Sequence, residues 1–261
     1  MVTPEHLHID DRDGVRTITL NRPDSLNALT YDVLDELDAA AEAAHSDPNV
    51  RVVVVRGAGR AFCAGDDLTG MGTPTTPIPD DANLRAELGY TRFVLALRRL
   101  AKPVIGQVHG YAMGAGCDLV LACDLVVAAE GTQFGLSFAR RGMVGGTCLL
   151  PQLVGYQKAC DLLFTGRTFD VSEAQQLGIV TAVVPAEQLD DEVRTRAAAL
   201  ARGPTAALGL AKRAINQSIG MPLENAVEMQ RHVTASMYHT HDYEEGRAAF
   251  KQRREPDYRG R

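Results

Sequence analysis

The sequence predicts an α/β fold that gives way to a mainly helical C-terminal region, on three observations. Residues 50–56 contain the unbroken β-branched run Val52-Val53-Val54-Val55, the pattern of a strand buried on both faces, as in a parallel sheet. Strand and helix patterns then alternate as far as residue 129, the order expected of α/β architecture. From about Pro151 helical segments dominate, broken by Gly155, Gly166, Gly178, Gly203-Pro204 and Gly220-Met221-Pro222.

Taken in order, residues 6–10 and 15–20 read as two short strands around the hairpin signal Asp13-Gly14. Asn21-Arg22-Pro23-Asp24 breaks the second. Thr30 is placed to cap a helix in which Val33, Leu34, Leu37, Ala40, Ala41 and Ala44 recur at helical spacing, and Asp47-Pro48 ends it. The valine strand leads into a glycine-containing loop over residues 57–65. Residues 71–81 hold Pro74, Pro77, Pro79 and three threonines, the composition of a mobile loop or lid. Residues 84–100 read as one amphipathic helix. Residues 103–108 form a second buried strand, 109–116 a turn with three glycines, 117–122 a helix and 124–129 a third strand.

Composition narrows the function. The chain has 261 residues, 45% of them hydrophobic and 23% charged, which is globular. A chain of this length buries roughly 70–75% of its unfolded surface and needs no metal or disulfide to hold a core. With 27 basic against 33 acidic residues the net charge is −6, which gives no broad attraction to nucleic acid. Mean hydropathy is −0.11, and no apolar run reaches the ~18–20 residues of a membrane span. The acidic N-terminus lacks the apolar stretch of a secretory signal. The five cysteines (Cys63, Cys117, Cys123, Cys148 and Cys160) are odd in number and form no CxxC pair, so reduced thiols in a cytoplasmic protein are expected.

GxSxG, HExxH and GxxxxGK[ST] are all absent, and the seven histidines show no metal-ligand spacing, so no metal is expected. Two loops remain, each just after a buried strand and leading toward a helix. The first is Gly59-Arg60-Ala61-Phe62-Cys63-Ala64-Gly65-Asp66-Asp67-Leu68. The second is His109-Gly110-Tyr111-Ala112-Met113-Gly114-Ala115-Gly116-Cys117-Asp118. Small residues let a ligand approach the backbone, and free N–H groups at a helix start favour negative charge. Two such loops on neighbouring strands can aim two N–H groups at one oxygen, forming an oxyanion hole; each loop alone also reads as a tight turn.

The two loops together resemble the crotonase superfamily, the enoyl-CoA hydratase/isomerase group. The resemblance begins at Leu20-Asn21-Arg22-Pro23 with Asn27-Ala28-Leu29 and includes Ala61-Phe62-Cys63-Ala64-Gly65-x-Asp67-Leu68 and Lys102-Pro103-Val104-Ile105. It continues through the Gly114 loop and Cys123-Asp124 to Glu245-Gly246-x-Ala248-Ala249-Phe250. It implies a crotonase-like spiral of ββα units over residues 1–200 that carries the acyl-CoA site. It also implies a helical region over 201–261 involved in forming a homotrimer or a dimer of trimers. The implied partner is an acyl-CoA thioester, with no cofactor beyond its coenzyme A moiety.

The resemblance also implies roles for particular residues. The oxyanion N–H groups fall on Asp66 and Ala115. Backbone around Ala64, Gly65, Asp67 and Leu68, with Gly114, lines the coenzyme A path, and Arg253 matches a basic position that reaches the nucleotide. A hydratase of this group carries two glutamates; here their positions are Asp118 and Phe138. Asp118 is one methylene shorter, a loss of reach of ~1.5 Å, and phenylalanine holds no water. The Pro-Asp that many isomerase-like relatives place before Gly145-Gly146-Thr147 is absent. Membership of the group makes a hydratase-type lyase on 2-enoyl-CoA the expected activity, and the missing second glutamate weighs against it. Its competitors are a double-bond isomerase or other single-acid reaction through Asp118, and a non-catalytic acyl-CoA binder. Asp118 also reads as a helix cap near Gly116, the Asp66 side chain as facing the acyl pocket or, preferred, as solvated, Asp67 as a turn stabiliser and Arg253 as an exposed helix arginine. Arg140 and Arg141 read as binders of a polar acyl group or, more commonly, as members of surface ion pairs.

Overall fold

A computed structural model describes residues 4–71 and 77–261. Residues 72–76 of the lid expected over residues 71–81 lie outside the described residues. Strands β1 (Leu7–Arg12) and β2 (Val15–Leu20) form an antiparallel hairpin whose turn is Asp13-Gly14. Both turn residues have positive φ, as a two-residue primed turn requires. Helix α1 (Tyr31–Ser46) starts at Thr30, whose hydroxyl accepts the Val33 N–H at 3.3 Å. Its buried residues are the six apolar positions of the predicted stripe.

Strand β3 (Val52–Gly57) is buried on both faces, as the valine run predicts. Val53 and Val55 join the main core with Leu34, Leu37 and Phe62, while Val52 and Val54 pack with Leu189 and Val193 in a second cluster. The single helix expected over residues 84–100 is instead two, α2 (Ala82–Glu87) and α3 (Thr91–Arg99). The break lies at Gly89, whose N–H closes a tight turn on the Ala86 carbonyl. A glycine costs a helix about 1 kcal/mol relative to alanine. Only α3 offsets such costs by burying side chains, Phe93 and Leu97; α2 buries none.

Strand β4 (Val104–Val108) runs into β5 (Tyr111–Met113), a strand inside the segment read as a turn. Helix α4 (Ala115–Ala122) follows with all eight residues buried, then β6 (Leu125–Ala129) and β7 (Gln133–Gly135). Beyond residue 149 come α5 (Leu150–Val154), α6 (Tyr156–Thr165), β8 (Thr168–Asp170), α7 (Val171–Gln176), β9 (Ala182–Val184) and α8 (Leu189–Ala201). Helices α9 (Thr205–Ser218), α10 (Leu223–Met237) and α11 (His241–Gln252) complete the chain. Strands β8 and β9 thus interrupt the region read as helical; three residues are too few to carry a period-2 signal.

A six-stranded sheet has the order β1-β2-β3-β4-β6-β9, parallel except for the first pair. A three-stranded sheet has the order β5-β7-β8. The strand pairs β4–β5 and β6–β7 each give one strand to either sheet before a helix, so a ββα unit recurs. Because β3 and β4 are parallel neighbours, the loops that leave them run side by side. No helix among the described residues is long and apolar enough to cross a membrane.

Candidate active site

The first loop is stitched by Asn27. Its Nδ2 donates to the Ala58 and Ala61 carbonyls, and its Oδ1 accepts the Arg22 N–H. Leu29 then pairs with the loop like a strand: its N–H donates to the Gly65 carbonyl and its carbonyl accepts the Asp67 N–H, both at 2.8 Å. Amides alternate sides along extended chain, so the Asp66 N–H between them is directed away from Leu29. The second loop pairs with the first through Cys63 and Ala112. The Cys63 N–H donates to the Tyr111 carbonyl, and the Met113 N–H donates to the Cys63 carbonyl.

The two turns meet at Gly65. A Cβ there would lie 2.7 Å from the Met113 carbonyl oxygen and 3.3 Å from the Ala115 nitrogen, and its φ of +93° already excludes most side chains. Ala115 is the first residue of α4, where an N–H has no helical acceptor. Among the described residues neither the Asp66 nor the Ala115 N–H has an acceptor. The fold therefore sets two unsatisfied donors on abutting turns, one of them at a helix N-terminus. Beneath them lies Cys63, a residue given no role by the sequence reading. Its Sγ accepts the Gly65 N–H at 3.4 Å, and burial pushes the thiol up to about 12.

Asp118 lies in the first turn of α4 and is 4% exposed. It does not cap the helix; Oδ2 accepts the Gly146 N–H at 3.0 Å. Burial raises its pKa to about 6, against the opposing effects of the Tyr90 hydroxyl and the Gly146 N–H, with a further upward push from the Asp66 charge. Tyr90, at the start of α3, stacks on Phe138 with ring centroids 6.0 Å apart. A Cβ on Gly145 would come within 2.6 Å of the Phe138 ring, so the Gly-Gly step leaves that ring its space. Tyr90 carried no sequence signal, because only the tertiary fold brings α3 over α4.

The remaining candidates divide. The Asp66 carboxyl is half-buried rather than solvated, because its backbone is held between Leu29 and the second turn. Burial raises its pKa and the Arg141 charge partly offsets this. Arg140 and Arg141 are both exposed, and among the described residues neither makes the expected surface ion pair; Arg140 Nε donates to the Thr165 carbonyl. The Asp67 carboxylate is turned inward, accepting from the Gly70 N–H, the Thr69 hydroxyl and Arg22 Nη2. The Ala64 N–H donates to the Leu26 carbonyl and the Gly114 N–H to the Gly135 carbonyl, while Leu68 is exposed. Arg253 is exposed at the C-cap of α11, with no ion pair among the described residues. A largely apolar cavity of about 520 Å³ opens beside Asp118 and Tyr90 and follows α3.

The comparisons agree with this architecture. The sequence model of the family described as enoyl-CoA hydratase/isomerase matches residues 10–261. A 2,3-dehydroadipyl-CoA hydratase of Escherichia coli is 37% identical over 260 residues, 98% of this chain and 99% of that one. A 1,2-epoxyphenylacetyl-CoA isomerase of Escherichia coli is 36% identical over 252 residues, 95% of this chain and 96% of that one. The crystal structure of an enoyl-CoA hydratase from Bacillus anthracis superposes with a TM-score of 0.91 at 32% identity, covering 98% of this chain and 100% of that one.

Proposed function

The chain belongs to the enoyl-CoA hydratase/isomerase family of acyl-CoA enzymes, and from that premise we propose that it is a hydratase-type lyase acting on a 2-enoyl-CoA. The observation that carries this reading is the pair of unsatisfied N–H groups of Asp66 and Ala115 beside the buried Asp118 carboxyl. The thioester oxygen accepts both N–H groups. As water bonds to Cβ, the Cα=Cβ electron pair moves onto that oxygen, where each donor is typically worth about 2.7–4 kcal/mol. Protonated Asp118 gives its proton to Cα, and the Asp66 carboxylate takes the proton that water loses. Asp66 thus stands in for the second glutamate, whose position Phe138 fills.

Coenzyme A would follow the backbone of residues 64–68 toward Arg253. In this reading the chain works in the cytoplasm as a homotrimer or a dimer of trimers joined through residues 201–261. The exposed apolar side chains of Leu223, Val227 and Phe250 in that region support such an interface.

Phe138 favours a second reading, double-bond isomerisation. There the Asp118 carboxylate takes a proton from Cα of a 3-enoyl-CoA and returns it to Cγ. Ultraviolet absorbance separates the two. Hydration of crotonyl-CoA lowers the conjugated-thioester absorbance, whereas isomerisation of a 3-enoyl-CoA raises it. Asp118→Ala is expected to abolish either signal and to leave coenzyme A ester binding intact. Full activity in that variant would refute the assignment.

A further inference from the structure

The cavity beside Asp118 has a direction, set by one stripe of α3. Tyr90, Val94 and Arg98 line it at every fourth position, with Leu95 and Arg99 alongside. Such spacing lies on one helix face, and at 1.5 Å per residue Arg98 stands about 12 Å along the axis from Tyr90. Asp118 lies at the near end. Val94, Leu95, Leu149 and Ile219 supply apolar lining.

The far end carries charge of one sign. Arg98 is half-buried, and among the described residues neither Arg98 nor Arg99 has a carboxylate within ion-pair distance. The Asp124 carboxylate behind this end holds Lys212 Nζ and the Val104 N–H on one oxygen, Oδ2, both at 2.8 Å, and lies beyond ion-pair distance of Arg98. Burial first, and last the Arg98 charge, hold Lys212 below the usual lysine range against the pull of Asp124. The Arg98 backbone is fixed as well, because its carbonyl accepts Asn216 Nδ2 at 2.8 Å. A cation at a helix C-terminus needs no ligand to explain it. A half-buried cation that lines an apolar cavity with no carboxylate at ion-pair distance leaves a charge-assisted hydrogen bond unmade.

Taking the acyl-CoA reading above as its basis, the geometry points to an acyl chain that ends in a carboxylate: a medium-chain enoyl-CoA with Arg98 holding the distal carboxylate. The length follows from the span. Extended chain advances roughly 1.3 Å per carbon, and an arginine reaches back about 6 Å, so an acyl group of about six to ten carbons fits. Arg98 here is a specificity residue that never touches the reacting atoms.

The test pairs two esters of one length, 2-octenoyl-CoA and its ω-carboxylate analogue 2-octenedioyl-CoA. Wild-type enzyme is expected to favour the dicarboxylate by about tenfold or more in kcat/KM, with the preference shrinking as salt is added. Arg98→Met should erase the preference while changing kcat/KM for the neutral ester less than about threefold. Calorimetry with saturated octanoyl-CoA and octanedioyl-CoA reads the same preference without turnover. Equal or better wild-type handling of the neutral ester overturns the inference, whether or not the variant folds, as does an Arg98→Met enzyme that still discriminates. Binding of neither saturated ester to wild-type enzyme overturns the acyl-CoA reading itself.

Discussion

The main-chain N–H of Gly146 donates to Asp118 Oδ2 at 3.0 Å, so the glycine-rich loop after residue 144 and helix α4 hold one carboxyl between them. That carboxyl is buried yet keeps a donor, which stops its pKa from rising further. Asp118→Asn keeps the shape and an acceptor for Gly146 but removes the titrating group. Turnover is expected to fall by ~10²–10⁴-fold, with acyl-CoA affinity unchanged by calorimetry. Unchanged turnover would remove Asp118 from the chemistry.

The same variant should be more stable at neutral pH. The folded-state pKa of Asp118, about 6, lies above the ordinary 3.8 of the unfolded chain. The native state therefore binds more protons between those values, and stability falls as pH rises through that window. At 1.36 kcal/mol per pH unit the loss approaches about 3 kcal/mol above the window, and Asp118→Asn escapes it. Denaturant melts at pH 4 and pH 7.5 check the sign: the variant should match wild type at pH 4 and exceed it at pH 7.5.

Tyr90→Phe and Asp66→Asn should move the Asp118 titration in opposite directions. The Tyr90 hydroxyl lowers the Asp118 pKa and the Asp66 charge raises it. The inflection in kcat/KM assigned to Asp118 is expected to shift upward in Tyr90→Phe, with the ring stack on Phe138 kept, and downward in Asp66→Asn. Shifts of one sign in both variants would contradict this electrostatic picture.

Asp66→Asn also divides the two readings of the reaction. Its N–H survives, so deuterium exchange at Cα of a saturated acyl-CoA should fall less than about tenfold. Hydration should fall ~10²-fold, because the acceptor for the proton of water is gone. Equal losses in both assays would remove the Asp66 carboxylate from the water step.

Gly65→Ala tests the contact of the turns. The added methyl meets the Met113 carbonyl oxygen at 2.7 Å, and the backbone there has φ of +93°. The turns must part, so kcat/KM should drop by ~10²-fold or more as a donor leaves its place. Wild-type kcat/KM in a folded variant would show that the turns need not touch.

Much of this was legible in the residues. Thr30 and its six apolar followers gave α1, and the valine run gave the two-sided burial of β3. Asp13-Gly14 gave the hairpin. The two glycine loops gave the convergence at Gly65, because small residues after buried strands permit a close approach. Strands β5, β7, β8 and β9 were hidden, since two or three alternations do not stand out from turn composition. Gly89 divided a helix whose first half buries nothing. The surroundings of Asp118 were not readable at all: Tyr90 and Gly146 lie 28 residues to either side, and only packing brings them to one carboxyl.

Isotope-edited infrared spectroscopy of a bound acyl-CoA labelled at its thioester carbonyl tests the oxyanion site most directly. Two N–H donors converging on that oxygen weaken the C=O bond, so its stretch should move to lower frequency than in water, and Gly65→Ala should reverse the move. A bound thioester that vibrates as it does in water would mean that the Asp66 and Ala115 amides do not hold it.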